Sequence, residues 1–274
     1  MFYQKFVPAP VLSPFVECYF VWESRRTITP QTPVVIESPP TGFGSLVFNL
    51  GVPYAVETPR LGKTTVPGQF LTGQATRQYR LHLNGAISMV GIVFKPAGLG
   101  SLFGVPMHEF ADERTDARAV LGVTIDQLAD QLANSPTNPE RVVCLEEFLL
   151  ARLLKNNIRP DRLDFTANQI VGQKGIIHLP SLTDDAFLCR RQFERKFLDR
   201  VGVSPKFYAR IRRIGHLCSV MASNRWQVSD WHDLLVGAGY YDQSHFIKEF
   251  TEFTGKRPSL YVKDNVELSH YLNG

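Results

Sequence analysis

The chain has 274 residues, of which 44% are hydrophobic and 20% are charged, and this composition is typical of one large globular domain or two ordinary ones. The formal net charge is only +4. No segment approaches the run of about 18 apolar residues that a membrane-spanning helix needs, and the N-terminus lacks the apolar stretch of a signal peptide. We therefore expect a soluble, cytoplasmic protein with no membrane partner. The four cysteines lie far apart without metal-ligand spacing, which argues against a zinc site and a disulfide-stapled scaffold.

The first hundred or so residues are predicted to form β-strands. Short apolar runs alternate with turn residues, and the clearest runs are Phe15 to Trp22, Ser45 to Leu50, Tyr79 to Leu83 and Ile87 to Phe94. Turn signals at intervals of about eight to twelve residues favour an antiparallel sandwich or barrel.

The next segment has apolar residues at helical spacing. They form two groups, Leu121 to Leu132 and Val142 to Leu153, separated by the turn Asn134 to Pro139. We predict two amphipathic linker helices that also serve as a dimer contact. A polar break at Asn156 to Pro160 is the predicted boundary between a first domain, residues 1–158 with the linker helices, and an all-α second domain, residues 159–274.

The second domain contains an internal repeat. RQFERKFLDRVGVSPKFY, Arg191 to Tyr208, aligns with SHFIKEFTEFTGKRPSLY, Ser244 to Tyr261, at a fixed offset of 53. The identical positions are Phe193, Phe197, Gly202, Pro205 and Tyr208 in the first copy and Phe246, Phe250, Gly255, Pro258 and Tyr261 in the second. The phenylalanines predict a buried helix stripe, the glycine a left-handed C-cap, and the proline the first turn of the following helix.

A shorter helix is predicted before each copy. Leu182 to Leu188 forms it in the first, and in the second Ser229 is predicted to cap a helix that ends before Asp242 caps the next one. Two helices joined by a short turn indicate a helix-turn-helix unit, whose second helix places its N-terminal residues in the DNA major groove. An apolar stripe from Phe207 to Met221 predicts one connecting helix, which would hold the two recognition helices about 34 Å apart, one turn of DNA.

Positive charge is concentrated in this domain. Residues 190–213 include nine basic and two acidic side chains. Such a local excess indicates a polyanionic partner, with a solvated helix face as the alternative interpretation.

GYYDQSHFIKEFTEFTGKRPSLY, residues 239–261, is similar to the signature of the AraC family of bacterial transcription regulators. LCRRQFERKFLDRVGVSPKFY, residues 188–208, resembles the family's first unit more loosely, with Cys189 in place of a capping serine and Phe187 in place of a turn glycine. The resemblance covers residues 175–262 and implies two helix-turn-helix units joined by one helix. Stretches such as VECYFVWES and SLVFNLG also resemble the sensor domain of some family members, which implies an antiparallel, cupin-like β-barrel with a ligand pocket or a dimer surface.

Positions on the two recognition helices predict DNA contacts. The predicted base contacts are Arg191, Glu194 and Arg195 in the first unit and Gln243, Ser244, His245 and Lys248 in the second, and the predicted phosphate contacts are Arg190, Lys206, Arg210 and Lys256. Arginine favours guanine and glutamine favours adenine, whereas phosphate contacts position the protein without specifying sequence. Glu194 accepts from cytosine or orients Arg195, and His245 contacts a base, caps the helix or touches a phosphate.

Catalysis is not expected. His82 and His108 are the histidines of the first domain, and neither has a second ligand at metal-binding spacing, so no metal, cofactor or catalytic residue is predicted. The expected function is a sequence-specific transcription regulator whose N-terminal domain acts through a ligand or a contact. The expected partners are double-stranded DNA, a small-molecule effector, a second copy in a homodimer, and RNA polymerase if the regulator is an activator. The alternative is a small-molecule-binding or enzymatic cupin-like barrel with a helical tail for protein interaction.

Overall fold

A computed structural model describes residues 2–24, 34–228 and 230–272. The strands are β1 (Phe2–Phe6), β2 (Val16–Glu23), β3 (Val34–Ser38), β4 (Ser45–Asn49), β5 (Ala55–Thr58), β6 (Gly62–Thr65), β7 (Gln69–Thr72), β8 (Tyr79–Leu83), β9 (Ser88–Phe94) and β10 (Arg114–Asp116). The helices are α1 (Gly98–Phe103), α2 (Ala117–Leu121), α3 (Thr124–Asn134), α4 (Asn138–Lys155), α5 (Arg162–Gly172), α6 (Leu179–Asp185), α7 (Arg190–Val201), α8 (Pro205–Ser223), α9 (Trp231–Gly237), α10 (Gln243–Thr254) and α11 (Pro258–Leu272), with a short 3-10 turn at Met107–Phe110. Within the described ranges, none of the helices combines the length and the apolar character needed to cross a bilayer.

The strands form two antiparallel sheets that face each other. Six strands pair in the order β1-β2-β9-β4-β7-β10 and four in the order β3-β8-β5-β6. The apolar layer between the sheets contains Phe20, Val47 and Phe70 from the larger sheet and Ile36 and Val56 from the smaller one. The predicted antiparallel β domain is therefore confirmed. Its closure into a barrel is not observed, because no strand pairing among the described residues joins one sheet to the other.

Helices α3 and α4 cover the outer face of the larger sheet. Neighbouring residues of a strand point to opposite faces, so Tyr19 and Leu46 lie on this side, where they share a core with Ile125, Leu145 and Leu149. The two predicted amphipathic helices thus belong to the core of the first domain. Helix α4 ends at Lys155, where the polar break begins.

Helices α5 to α11 form the second core. The connecting helix α8 is buried along Ile211, Ile214 and Met221, and both recognition helices, α7 and α10, pack their phenylalanines into the same cluster. Each recognition helix ends at a glycine in the left-handed region, Gly202 with φ of 97° and Gly255 with φ of 71°, as the repeat predicts.

The two turns before the recognition helices differ by one residue. The left-handed residue is Phe187 in the first turn and Gly239 in the second, and the N-caps that follow are Cys189 and Asp242. The alignment offset between the two copies of the repeat is therefore 53 in the recognition helices but 52 in the segments before these turns. The additional residue of the second turn is Tyr241, which is fully exposed. Loop tips tolerate such an insertion because no buried group has to move.

The N-cap of helix α9 lies one residue after the predicted cap. Asp230 accepts hydrogen bonds from the backbone N–H groups of His232 and Asp233 and is the N-cap. Ser229, which the sequence suggested, lies outside the described residues.

Candidate DNA-binding surface

The exposed side of helix α7 carries two arginines. Phe193 and Phe197 are buried in the core, whereas Arg191 and Arg195 are exposed on the opposite side of the helix. Neither arginine forms an ion pair with any described residue, so their guanidinium groups are free to bind a ligand. Arg190 Nε lies 2.9 Å from Glu194 Oε1, which shows that Glu194 contacts Arg190 and not Arg195.

Asp242 organises the first turn of helix α10. Its carboxylate accepts from the backbone N–H of Ser244 at 2.9 Å and of His245 at 3.3 Å, as an N-cap does. The side chains of Gln243, Ser244 and Lys248 are exposed. The capping bonds use backbone donors only, so the polar side chains of this turn stay available for a partner.

A buried carboxylate ties α10 to the connecting helix. The side chain of Glu249 is only 4% exposed, and it accepts from Arg210 Nε at 3.0 Å and from the Tyr240 hydroxyl at 2.6 Å. His245 Nε2 lies 3.6 Å from the same carboxylate. Burial, together with the hydrogen bond to Glu249, raises the pKa of Tyr240. Position 249 corresponds to Lys196 in the first unit, which is exposed, so only the second unit contains this buried carboxylate.

Three of the four predicted phosphate contacts form ion pairs. Arg190 pairs with Glu194 on the exposed surface of α7, and Arg210 and Lys256 pair with acidic residues of other segments. Arg210 also binds Glu252 at 2.5 Å, and these bonds outweigh burial and raise the pKa of Arg210. Lys256 Nζ lies 2.5 Å from Glu37 of the first domain and 3.0 Å from Asp264. The adjacent Arg257 is exposed and has no ion-pair partner among the described residues, and the exposed Lys206 has none either. Arg257 is not among the predicted contacts, because spacing alone does not show which of two neighbouring cations faces the first domain.

The first domain contacts both recognition helices at their C-terminal ends. The backbone N–H of Gln78 donates to the carbonyl of Phe253 at 3.0 Å, and Arg77 binds Glu252 at 3.1 Å. The two C-cap glycines are close to the first domain as well: a Cβ on Gly202 would lie 2.7 Å from the carbonyl oxygen of Met107, and one on Gly255 would lie 2.1 Å from the Gln78 amide. Gly202 is therefore required by close packing against the backbone as well as by its positive φ. At Gly255 the neighbouring group is the end of a flexible side chain, so the positive φ is what favours glycine there.

A polar cluster reinforces the contact with α7. Arg200 donates to Asp161 at 2.7 Å and to the Ser101 hydroxyl at 3.1 Å, and that hydroxyl donates to Asp164 at 2.5 Å. Burial raises the pKa of the Asp164 carboxyl, which is 1% exposed. Because Ser101 belongs to α1 of the first domain, the cluster joins the two domains.

A loop of the first domain packs against the connecting helix α8. The Tyr208 hydroxyl donates to the carbonyl of Gly42 at 2.7 Å, and Arg212 donates to the carbonyl of Thr41. The Arg212 guanidinium also lies over the ring of Phe43, 4.3 Å from its centroid. Hence the first domain contacts α7, α8 and α10 together, while the N-terminal halves of both recognition helices face away from these contacts.

Two segments of the chain match known protein families. Residues 4–116 match a family described as a domain of unknown function (DUF6597), and residues 182–264 match a helix-turn-helix domain family. No curated protein matches the chain.

Among solved structures, the chain is similar to ToxT from Vibrio cholerae. The crystal structure of ToxT from strain O395 is 12% identical over 88% of this chain and 96% of that chain, with a TM-score of 0.46. A 1.65 Å structure of the same protein is 12% identical over 95% of this chain and 97% of that one, with a TM-score of 0.45. Wild-type ToxT from strain SCE256, bound to an unsaturated fatty acid, is 12% identical over 88% and 96%, with a TM-score of 0.43.

The family match coincides with the observed pair of helix-turn-helix units and with the exposed cations of their recognition helices. Residues 182–264 are therefore a helix-turn-helix domain of the AraC type, which supports a function in DNA-binding transcription regulation.

Proposed function

We propose that α7 and α10 read two successive major-groove segments of one operator, with Arg191, Arg195, Gln243 and Lys248 as the principal base contacts. The observation that carries this proposal is the shared orientation of the two helices: each exposes its N-terminal half and is held at its C-terminal end by the first domain. Arginine and glutamine form the bidentate contacts that distinguish guanine and adenine in the major groove. Arg190 and Lys206 contact the flanking phosphates.

The first domain, residues 1–158, acts on the second, residues 159–274, through the contacts at α7, α8 and α10. The two domains would have to adopt two arrangements that differ in these contacts. An effector or a protein partner changes DNA affinity only if it binds these two arrangements with different free energies. The chain has no catalytic activity in this proposal and works in the cytoplasm. RNA polymerase is a partner if the protein activates transcription.

A homodimer forms through the outer side of α4 in this proposal. Val143 and Leu154 are apolar side chains of α4 that are 53% and 76% exposed, and the opposite side of the helix is buried in the first core. Leu154→Glu is expected to convert the dimer to a monomer in sedimentation velocity. Val35→Glu, at an exposed position of β3, is the control that should keep the dimer. Equal masses for both variants would contradict this assignment.

Selection of genomic fragments by the purified full-length protein tests the DNA proposal. We expect one enriched sequence with two determinants about one helical turn apart, and binding that weakens steeply as salt rises. Arg195→Ala and Lys248→Ala should each weaken binding to the enriched sequence by about tenfold or more, as expected for loss of a bidentate or direct base contact. Lys63→Ala, which removes an exposed cation of the first domain, is the charge-matched control and should leave affinity unchanged.

Two results would refute the proposal. One is binding that shows no sequence preference. The other is specific binding that Arg195→Ala and Lys248→Ala weaken no more than Lys63→Ala does.

A further inference from the structure

The second unit carries an open groove on the outer side of its recognition helix. It lies between α9, α10 and α11 and has a volume of about 730 Å³. Its apolar lining includes Trp231 and Ile247, and its polar lining includes Gln243, Lys248, Thr251 and Arg257. Glu252 also lines the groove, but its carboxylate is paired with Arg77 and Arg210. The groove thus combines apolar side chains with two cations.

One stripe of α10 faces this groove. Gln243, Ile247 and Thr251 are spaced four residues apart, which places them above one another on one side of a helix. Gln243 is exposed, Ile247 is half-exposed, and the Thr251 hydroxyl has no hydrogen-bond partner among the described residues. The spacing from Gln243 is a signal that sequence analysis could have used to find Ile247.

The corresponding stripe of α7 has a different chemistry. At the offset of 53, Gln243 and Ile247 correspond to Arg190 and Glu194, which form an ion pair with each other. The first unit therefore presents charges where the second presents an amide and an apolar side chain. Because of this difference, the two units are expected to prefer different base pairs.

We propose that Ile247 is a specificity-determining residue that packs against thymine C5-methyl groups in the half-site read by the second unit. The thymine methyl is the only apolar group that a base pair presents in the major groove, and apolar side chains recognise it. Gln243 reads adenine in the same half-site. Lys248 and Arg257 both line the groove and would attract a DNA strand bound there. The inference rests on the proposed DNA-binding function and makes the operator asymmetric, with guanines facing Arg191 and Arg195 and A·T pairs facing α10.

Replacement of thymine by deoxyuridine tests this inference, because it removes the methyl group and leaves every hydrogen-bonding group in place. Each thymine of the enriched sequence is replaced in turn, and the dissociation constant of the full-length protein is measured by fluorescence anisotropy at one salt concentration. In the α10 half-site at least one replacement should weaken wild-type binding about fourfold, which corresponds to about 0.8 kcal/mol for one buried methyl group.

The Ile247→Ala variant should bind the thymine duplex and the corresponding deoxyuridine duplex with affinities within about twofold of each other, since the apolar partner of the methyl group is gone. Ile247→Gln keeps the size of the side chain and should show the same loss of discrimination, which covers the case in which Ile247→Ala folds poorly. Val236→Ala is the matched control, because Val236 is an exposed apolar residue of α9 that does not line the groove. It should retain the full discrimination.

Thymine-to-deoxyuridine discrimination that persists in both Ile247 variants would overturn the inference, and so would a half-site insensitive to every replacement. If binding is specific and depends on Arg195 and Lys248 but not on the methyl groups, only this inference fails. If the wild type has no sequence preference, the proposed function fails with it.

Discussion

Truncation of Glu249 to alanine would test the role of the buried carboxylate in the second unit. In the wild type, Glu249 accepts from Arg210 and from the Tyr240 hydroxyl, and it does so almost without contact with solvent. Alanine removes both acceptors and leaves the Tyr240 hydroxyl without its partner at a buried position.

Removing one partner of a buried ion pair costs about 3–5 kcal/mol. The lower end applies here, because Arg210 keeps Glu252 at 2.5 Å and its side chain is 32% exposed. The orphaned Tyr240 hydroxyl adds about 1 kcal/mol. We therefore expect Glu249→Ala to lower the free energy of unfolding of the second domain by about 3–4 kcal/mol. Glu249→Gln should lower it by about 1–2 kcal/mol, because its carbonyl oxygen still accepts from Arg210 and its amide N–H can donate to the Tyr240 oxygen.

Urea unfolding followed by tryptophan fluorescence measures this loss. Trp22→Phe provides a suitable background, because the remaining tryptophans, Trp226 and Trp231, both pack in the core of the second domain. Lys196→Ala is the matched control: Lys196 occupies the equivalent position of the first unit and is exposed, so its loss should change stability by less than about 0.5 kcal/mol. A loss of less than about 1 kcal/mol for Glu249→Ala would refute the reasoning from buried ion pairs.

Three further predictions concern a helix cap, phosphate contacts and a domain contact. Cys189→Ser should stabilise the second domain by about 1 kcal/mol in the same assay, because Cys189 has N-cap geometry without a side-chain capping bond; Cys189→Ala should show no such gain. Lys206→Ala should reduce the slope of log affinity against log salt by about one, whereas Lys256→Ala should change it less because that ammonium group already binds Glu37; equal changes would contradict this. Burial opposes ionisation of Glu37, but hydrogen bonds from Lys256 and Arg80 prevail and hold its pKa below the ordinary value of 4.5. The resulting stabilisation is present above about pH 4.5 and is lost as the pH falls through the lower folded pKa, so the melting temperature should drop more steeply on acidification in the wild type than in Glu37→Gln.

Much of the fold could be predicted because local patterns determine it. Strands β2, β4, β8 and β9 lie within a residue or two of their predicted runs, and α4 ends where the polar break begins. The repeated glycines Gly202 and Gly255 end their helices in the left-handed conformation that their position indicates. These features depend on neighbouring residues only, and neighbours are visible in a sequence.

The arrangement of the two sheets could not be derived in the same way. Alternating apolar residues are equally compatible with a closed barrel and with two facing sheets, because either arrangement buries one face of every strand. Only the pairing of distant strands, such as β4 with β9 and β3 with β8, decides between them.

The sequence by itself determined which side of each recognition helix is polar and exposed, since the phenylalanine stripes of α7 and α10 leave Arg195 and Lys248 on the opposite side. The tertiary structure decided which cations are free. Arg210 and Lys256 are spaced like phosphate contacts, yet both bind carboxylates, and that of Glu37 lies in a strand more than two hundred residues away from Lys256. The physical reason is that an ion pair depends on distance in space, whereas spacing along the chain fixes only the side of a helix on which a charge lies.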